Sequence, residues 1–120
     1  MNQVILIGNV GKDPVIKQLP NSGVDVSTFP MATSKLIKNT ERTEWHNLRA
    51  WGEMAKRIYN NVYKGDRLVV LGELKTDDYE DRNGVKHYRT YVEIRQFSIS
   101  MKLKNGNEEQ PVNGNDSAEY

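Results

Sequence analysis

Residues 45–51 read WHNLRAW, and their alternation of side-chain types is typical of a strand. On an extended chain, Trp45, Arg49 and Trp51 share one face with Asn47. The opposite face then carries His46, Leu48 and Ala50. Two indoles and a guanidinium on a common face are unusual for a surface that packs into a core. A tryptophan is nevertheless often a core residue, so both a core role and a binding role are open on this pattern alone.

The residues that follow, GEMAKRIYNNVYKG over 52–65, change to a helical period. Four apolar residues share one helical face, and they are Met54, Ala55, Ile58 and Val62. The spacing predicts a helix over Glu53–Lys64, with Gly65 as its stop. A strand that leads directly into the chain's one convincing helix restricts the fold strongly.

Short apolar segments separated by turn residues predict further strands on both sides of this unit. The predicted strands are Val4–Ile7, Val15–Leu19, Val24–Met31, Leu68–Leu74 and Val85–Ile99. Pro30 predicts an edge or bulge, Gly72 a bulge, and residues 81–84, DRNG, a hairpin turn. The polar segment Lys35–Thr43 is predicted to be an exposed loop. This order predicts an all-β OB-fold, a five-stranded Greek-key barrel with one α-helix between strands 3 and 4.

Charge divides the chain of 120 residues into two parts. Residues 1–104 hold all 17 Lys and Arg and 12 acids, a net charge of +5, whereas residues 105–120 hold four acids and no base. The polar composition of the second part predicts a flexible acidic tail over 105–120 after a folded domain over 1–104. A basic body favours a polyanionic partner, although a tail this polar is more often only a solvated end.

Several classes of chemistry have no support in the sequence. The absence of cysteine excludes disulfides, thiolate nucleophiles and Cys-ligated zinc. No HExxH, Walker or GxSxG motif occurs, so we expect no enzyme, no cofactor and no catalytic metal. The acidic cluster of Asp77, Asp78, Glu80 and Asp81 is the one feature that a nuclease could use for a divalent metal, but such a cluster is usually plain surface. The N-terminal residues lack the basic region and cleavage site of a signal peptide, so we expect a soluble, cytoplasmic protein.

Four motifs in this order and spacing resemble the bacterial single-stranded DNA-binding protein family. They are VILIGNVGKDP at 4–14, TEWH at 43–46 with Gly52 and Ala55 after it, KG at 64–65, and the terminal hairpin with DRNG at 81–84 and YRT at 88–90. The resemblance extends to about residue 103. It implies an OB-fold, a homotetramer and sequence-independent binding of single-stranded DNA in replication, recombination and repair, with a nucleoid-associated location.

The resemblance also implies which side chains meet the DNA. Family positions for aromatic residues that stack on bases match Trp45, Trp51 and Tyr79, while a fourth such position falls near Ile37, which is not aromatic. Stacked bases and paired phosphates together hold a single strand. We expect the phosphate partners to be Lys35, Lys38, Arg42, Arg49, Lys56, Lys75 and Arg89. Of Tyr88 and Tyr91, at most one is expected to face DNA, because they point to opposite faces of one strand.

Two other functions stay open. One is an OB-fold accessory factor that binds proteins chiefly and DNA weakly, and the other is a nuclease that uses the acidic hairpin. The tail ends in DSAEY at 116–120, and family members commonly recruit replication and repair partners through an acidic tip. The sequence of this tip differs from that of the family, so recruitment of partners through it is a hypothesis. The simpler interpretation is a frayed end.

Overall fold

The computed structural model describes residues 1–103 of the chain. Its elements in chain order are β1 (Val4–Val10), β2 (Val15–Gln18), β3 (Asp25–Ile37), β4 (Thr40–Trp51), α1 (Gly52–Asn61), β5 (Arg67–Glu80) and β6 (Lys86–Met101). The predicted tail over 105–120 lies outside the described residues, as does Lys104. Within residues 1–103, no helix has the length and apolarity needed to cross a membrane.

The strands form one sheet that closes on itself. Their order is β1-β5-β6-β4-β3-β2, and β1 also pairs with β3, which completes a barrel. The neighbours are antiparallel except β4 and β6, which run parallel where Leu48 faces Val92. The five barrel strands are β1, β3, β4, β5 and β6, so α1 lies between the third and the fourth of them. The predicted OB-fold is therefore confirmed.

Alternate residues of the barrel strands fill its interior. The buried core includes Phe29 and Met31 of β3, Leu48 and Ala50 of β4, Leu68 and Val70 of β5, and Val92 and Ile94 of β6. Helix α1 adds Ala55 and Ile58 to this core. The helix ends at Asn61, three residues before the predicted end, because Val62 enters the core in an extended conformation and donates its N–H to the carbonyl of Ile58.

The segment Lys35–Thr43 corrects the sequence prediction. It is not a loop, because β3 and β4 stay paired up to Ile37 and Thr40 and form a long hairpin arm. Only Lys38 and Asn39 make the turn, both with positive φ, of 52° and 66°. Two such residues match the twist of a two-residue hairpin. We call residues 33–44 the β3–β4 arm.

Pro30 lies where β3 changes partner on one edge. Thr28 pairs with Val15 of β2, and Met31 pairs with Val10 of β1. Between these pairings, the carbonyl of Pro30 accepts a hydrogen bond from the N–H of Gly11 at 2.9 Å. A proline has no N–H to donate on that edge, and this junction requires none. The predicted irregularity is therefore a change of strand partner.

The second arm is formed by β5 and β6. Their pairing is shifted between Leu71 and Gly72, which confirms the predicted bulge. A Cβ at Gly72 would overlap the carbonyl of Glu93, so only glycine fits this close approach. The predicted turn is also confirmed, since the N–H of Gly84 donates to the carbonyl of Asp81 at 3.0 Å. We call residues 74–91 the β5–β6 arm.

A buried carboxylate fixes the point where the chain leaves β6. Asp66 accepts hydrogen bonds from the backbone N–H of Tyr63 at 2.9 Å, the N–H of Leu103 at 3.0 Å and the ammonium of Lys102 at 2.7 Å. Its side chain is 1% exposed, whereas that of Lys102 is 40% exposed. Asp66 therefore ties the end of the described chain to the turn between α1 and β5.

Candidate nucleic-acid interface

The face of β4 that points away from the core carries both tryptophans. Leu48 and Ala50 are buried in the barrel, so the residues that alternate with them face outward. The side chain of Trp45 is 63% exposed, and Trp51 is half-buried at the end of the strand. His46 lies on the inner face, where its Nε2 is 2.8 Å from the hydroxyl oxygen of Thr33. The two indoles are thus outside the barrel and reachable from solvent.

The indole of Trp45 rests on the backbone of Gly11. The edge of its six-membered ring is so close that a Cβ at Gly11 would overlap it. A cavity of about 510 Å³ adjoins the ring and is lined in part by Tyr63, Lys64 and Leu103. The loop after β1 therefore sets the position of Trp45.

We expect Gly11→Ala to weaken binding of an oligo-dT strand about fivefold, the lower limit of one lost stacking contact. Gly11 has no positive φ, so alanine fits its backbone, and the methyl group displaces the outer edge of an exposed ring. Fluorescence anisotropy measures the affinity, and circular dichroism checks the fold. The control is Ser22→Ala, in the loop between β2 and β3. Gly23→Ala in that loop is unsuitable, because Gly23 has a φ of 72°. Unchanged affinity in Gly11→Ala would contradict the positioning role.

Arg49 lies at the centre of the outer face and joins three strands. Its guanidinium donates to the carboxylate of Asp77 on β5 at 3.0 Å. The same group lies 3.8 Å from the ring centroid of Tyr91 on β6 and 5.9 Å from that of Trp51. Tyr91 is consequently only 8% exposed although it lies on the outer face. Arg49, one of the predicted phosphate partners, is also a brace between Asp77 and two aromatic rings.

Arg49→Gln is expected to weaken oligo-dT binding about threefold, because the rings of Tyr91 and Trp51 lose the cation that holds them in position. The slope of log affinity against log salt concentration should stay the same, because Asp77 already neutralises this charge. Lys12→Gln is the matched comparison, since an exposed lysine that contacts a phosphate lowers that slope by about 0.7. Equal loss of slope in both variants would show that Arg49 contacts phosphate after all.

Tyr79 lies on the outer face of the β5–β6 arm, exposed to solvent. The guanidinium carbon of Arg89 is 4.6 Å from its ring centroid. The imidazole of His87 stacks on the same ring, with centroids 5.2 Å apart and planes at 21°. Because Tyr79 pairs with His87, and Asp77 with Arg89, all four side chains are on the face that also bears Tyr91. The three aromatic residues expected to stack on bases therefore share the outer face of the sheet.

Two expected phosphate partners lie on a different face. Lys35 and Arg42 are directly opposite each other in the β3–β4 arm. They lie four residues along their strands from the inward-facing pair Met31 and His46, so they point to the same side as that pair. They are therefore on the side of the arm that does not carry Trp45. Lys38 is at the turn, from which it can reach either side.

Two other expected partners already have acidic neighbours. The ammonium of Lys56, on α1, is 3.1 Å from a carboxylate oxygen of Glu53 and 3.6 Å from one of Asp25. The hydrogen bond to Glu53 raises the pKa of Lys56, with the charge of Asp25 adding to it. Lys75 is 3.4 Å from Glu73, whose pKa is lowered mainly by a hydrogen bond from Arg95. Both lysines thus offer less free positive charge than the sequence suggests.

Lys12 was not among the predicted site residues, and Tyr91 was named only as one of two alternatives with Tyr88. Both line a groove of about 460 Å³ on the outer face, together with Asn47, Arg49 and Arg89. Lys12 belongs to the turn after β1, and nothing in its local sequence points to the groove. For Tyr91 a signal was present, since it alternates with Val92 and shares a predicted face with Arg89.

The acidic cluster of the β5–β6 arm is divided between two faces. Asp77 pairs with Arg49 on the outer face, while Asp78 is 3.8 Å from Lys86 on the other. Asp81 is 2.8 Å from the Nε2 of His87. Across residues 1–103, no group of three or more His, Cys, Asp or Glu side chains converges as metal ligands would. The arrangement does not resemble a two-metal nuclease centre.

Comparison with known proteins identifies the family of this chain. A single-stranded DNA-binding protein of Bacteroides thetaiotaomicron is 42% identical over 106 residues, which cover 82% of this chain and 65% of that protein. The chain thus matches a little under two thirds of the length of that relative. The model of the single-strand binding protein family matches residues 1–100. The chain belongs to the single-strand binding protein family.

Proposed function

We propose that this chain binds single-stranded DNA without sequence preference along the outer face of β4 and the β5–β6 arm. The observation that carries the proposal is the common face of Trp45, Trp51 and Tyr79, with both indoles outside the barrel. Its family membership and the name of its Bacteroides relative agree with it.

Bases and phosphates have separate partners on this face. Unpaired bases stack on the aromatic rings, and each stacked base contributes about 1 to 3 kcal/mol regardless of its identity. Phosphates meet Lys12 and Arg89 beside the groove, with Lys38 at the tip of the β3–β4 arm. Lys35 and Arg42 can contribute only where the strand passes to the other side of that arm. A duplex hides its base faces within the stack, so it has no access to the rings.

Self-association, as a homotetramer, is part of the proposal. Ile5 and Ile7 are exposed on the outward face of β1, beside Leu71 and Val69 of β5. In residues 1–103, the second edge of β1 is unpaired from Val4 to Gly8. An exposed apolar strand with a free edge is suited to pairing with another copy. Roles in replication, recombination and repair, with partners recruited by the tail, extend this proposal.

Anisotropy with labelled oligo-dT and with a duplex of equal length tests the proposed function. We expect tight binding of oligo-dT, much weaker binding of the duplex, and a strong decrease in affinity with salt. Weak binding of both would favour the accessory factor. Incubation of the protein and DNA with Mg²⁺ or Ca²⁺, followed by a gel, tests for nuclease activity. Cleaved DNA would overturn the proposal. Light scattering reports the oligomeric state.

A further inference from the structure

The tip of the β5–β6 arm presents a composite surface and not a bare phenol ring. His87 is stacked on Tyr79, and Arg89 lies over the same ring. The His87 side chain is 42% exposed, so an incoming base meets the imidazole together with the phenol. An imidazole is flat and aromatic, as the platforms of single-strand binders are. None of the stacking or phosphate roles described above includes His87.

Asp81 holds the imidazole in this position. One of its carboxylate oxygens accepts hydrogen bonds from the N–H groups of Asn83 and Val85, and the other is 2.8 Å from Nε2 of His87. The bond from His87 is the largest cause that lowers the pKa of Asp81, so this carboxyl stays ionised in mildly acidic solution. An ionised carboxylate only accepts, so Nε2 is the donor. This hydrogen bond and the stack on Tyr79 together fix the orientation of the imidazole.

We propose that His87 is a DNA-binding residue that forms one stacking platform with Tyr79. This inference rests on the proposed function. A base that reaches this arm meets the imidazole together with the phenol, because the two rings are stacked and both are partly exposed. The imidazole therefore contributes to binding through its flat face.

The surroundings of His87 are compatible with this role. On the outer face, its charged and titratable neighbours are Tyr79 and Asp77 of β5, Asp81 of the turn, and Arg89 of β6. Asp77 is engaged by Arg49 and Asp81 by His87 itself. Lys86 and Asp78 pair on the opposite face. The chain has two histidines, and the other one, His46, lies on the inner face, so it is a matched control for His87.

Three variants of the full chain test this role, with oligo-dT as the probe. His87→Phe keeps a flat ring on Tyr79, so it should match the wild type within about twofold. His87→Ala removes one ring of the platform and should bind about fivefold more weakly. His46→Gln is the control and should bind as the wild type does.

The outcomes distinguish this inference from the proposed function. If the wild type binds oligo-dT but His87→Ala binds equally tightly, or His87→Phe binds as weakly as His87→Ala, the role of His87 is overturned. If the wild type does not bind oligo-dT, the proposed function itself fails. Circular dichroism of each variant verifies that the barrel is folded.

Discussion

Trp45→Ala should bind oligo-dT about 5- to 150-fold more weakly than the wild type, because the loss of one stacked base costs about 1 to 3 kcal/mol. The indole is largely exposed and contacts the backbone of Gly11, so its removal leaves no cavity in the core. The midpoint of urea unfolding should therefore stay close to that of the wild type. Anisotropy gives the affinity, and the unfolding curve gives the stability.

Tyr59→Ala is a matched control for this change. Tyr59 is an exposed aromatic residue on α1 and does not line the groove on the outer face. It should bind oligo-dT as the wild type does. Trp45→Phe, which keeps a smaller ring, should lie between the wild type and Trp45→Ala. If Trp45→Ala and Tyr59→Ala bound equally well, Trp45 would not be a base platform.

Asp66→Ala should lower the free energy of unfolding by about 2 to 4 kcal/mol, since it leaves two backbone N–H groups without their buried acceptor. These groups belong to Tyr63 and Leu103, which both donate to Asp66. Lys102 contributes less to the loss, because its partly exposed ammonium can turn to solvent. Urea unfolding followed by circular dichroism measures the change as a shift of the midpoint at constant slope.

Asp13→Ala provides the comparison at the surface. Asp13 accepts a hydrogen bond from the N–H of Lys64 at 2.7 Å, but it is exposed. Water replaces this acceptor, so the expected loss is about 1 kcal/mol or less. An equal effect of the two substitutions would mean that burial of Asp66 does not determine its contribution.

The fold was predictable where one face of an element is buried. In β4, the alternation of Leu48 and Ala50 with outward residues is visible in the sequence because the core requires it. The β3–β4 arm has solvent on both faces, so its strands lack this alternation and resemble a loop. The end of α1 was misjudged for a related reason. Val62 is a core residue at helical spacing, yet it enters the core from an extended segment.

The sequence predicted the positions of the aromatic residues in the candidate site better than the partners of its cations. The face of Trp45 and Trp51 follows from local alternation. The brace at Arg49 depends on Asp77, which is 28 residues away, so no local pattern indicates it. Likewise, the face taken by Lys35 and Arg42 depends on a strand pairing that the sequence did not predict. Ion pairs across strands decide which cations are free for phosphates.

Tryptophan fluorescence tests the central claim most directly, because the chain contains two tryptophans and both are on the proposed DNA face. Trp45→Phe and Trp51→Phe each leave one indole, which is titrated with oligo-dT to saturation. We expect the emission of each variant to be quenched as bases stack on the remaining indole. If oligo-dT bound both variants and left both emissions unchanged, the bases would lie elsewhere and the account would be wrong.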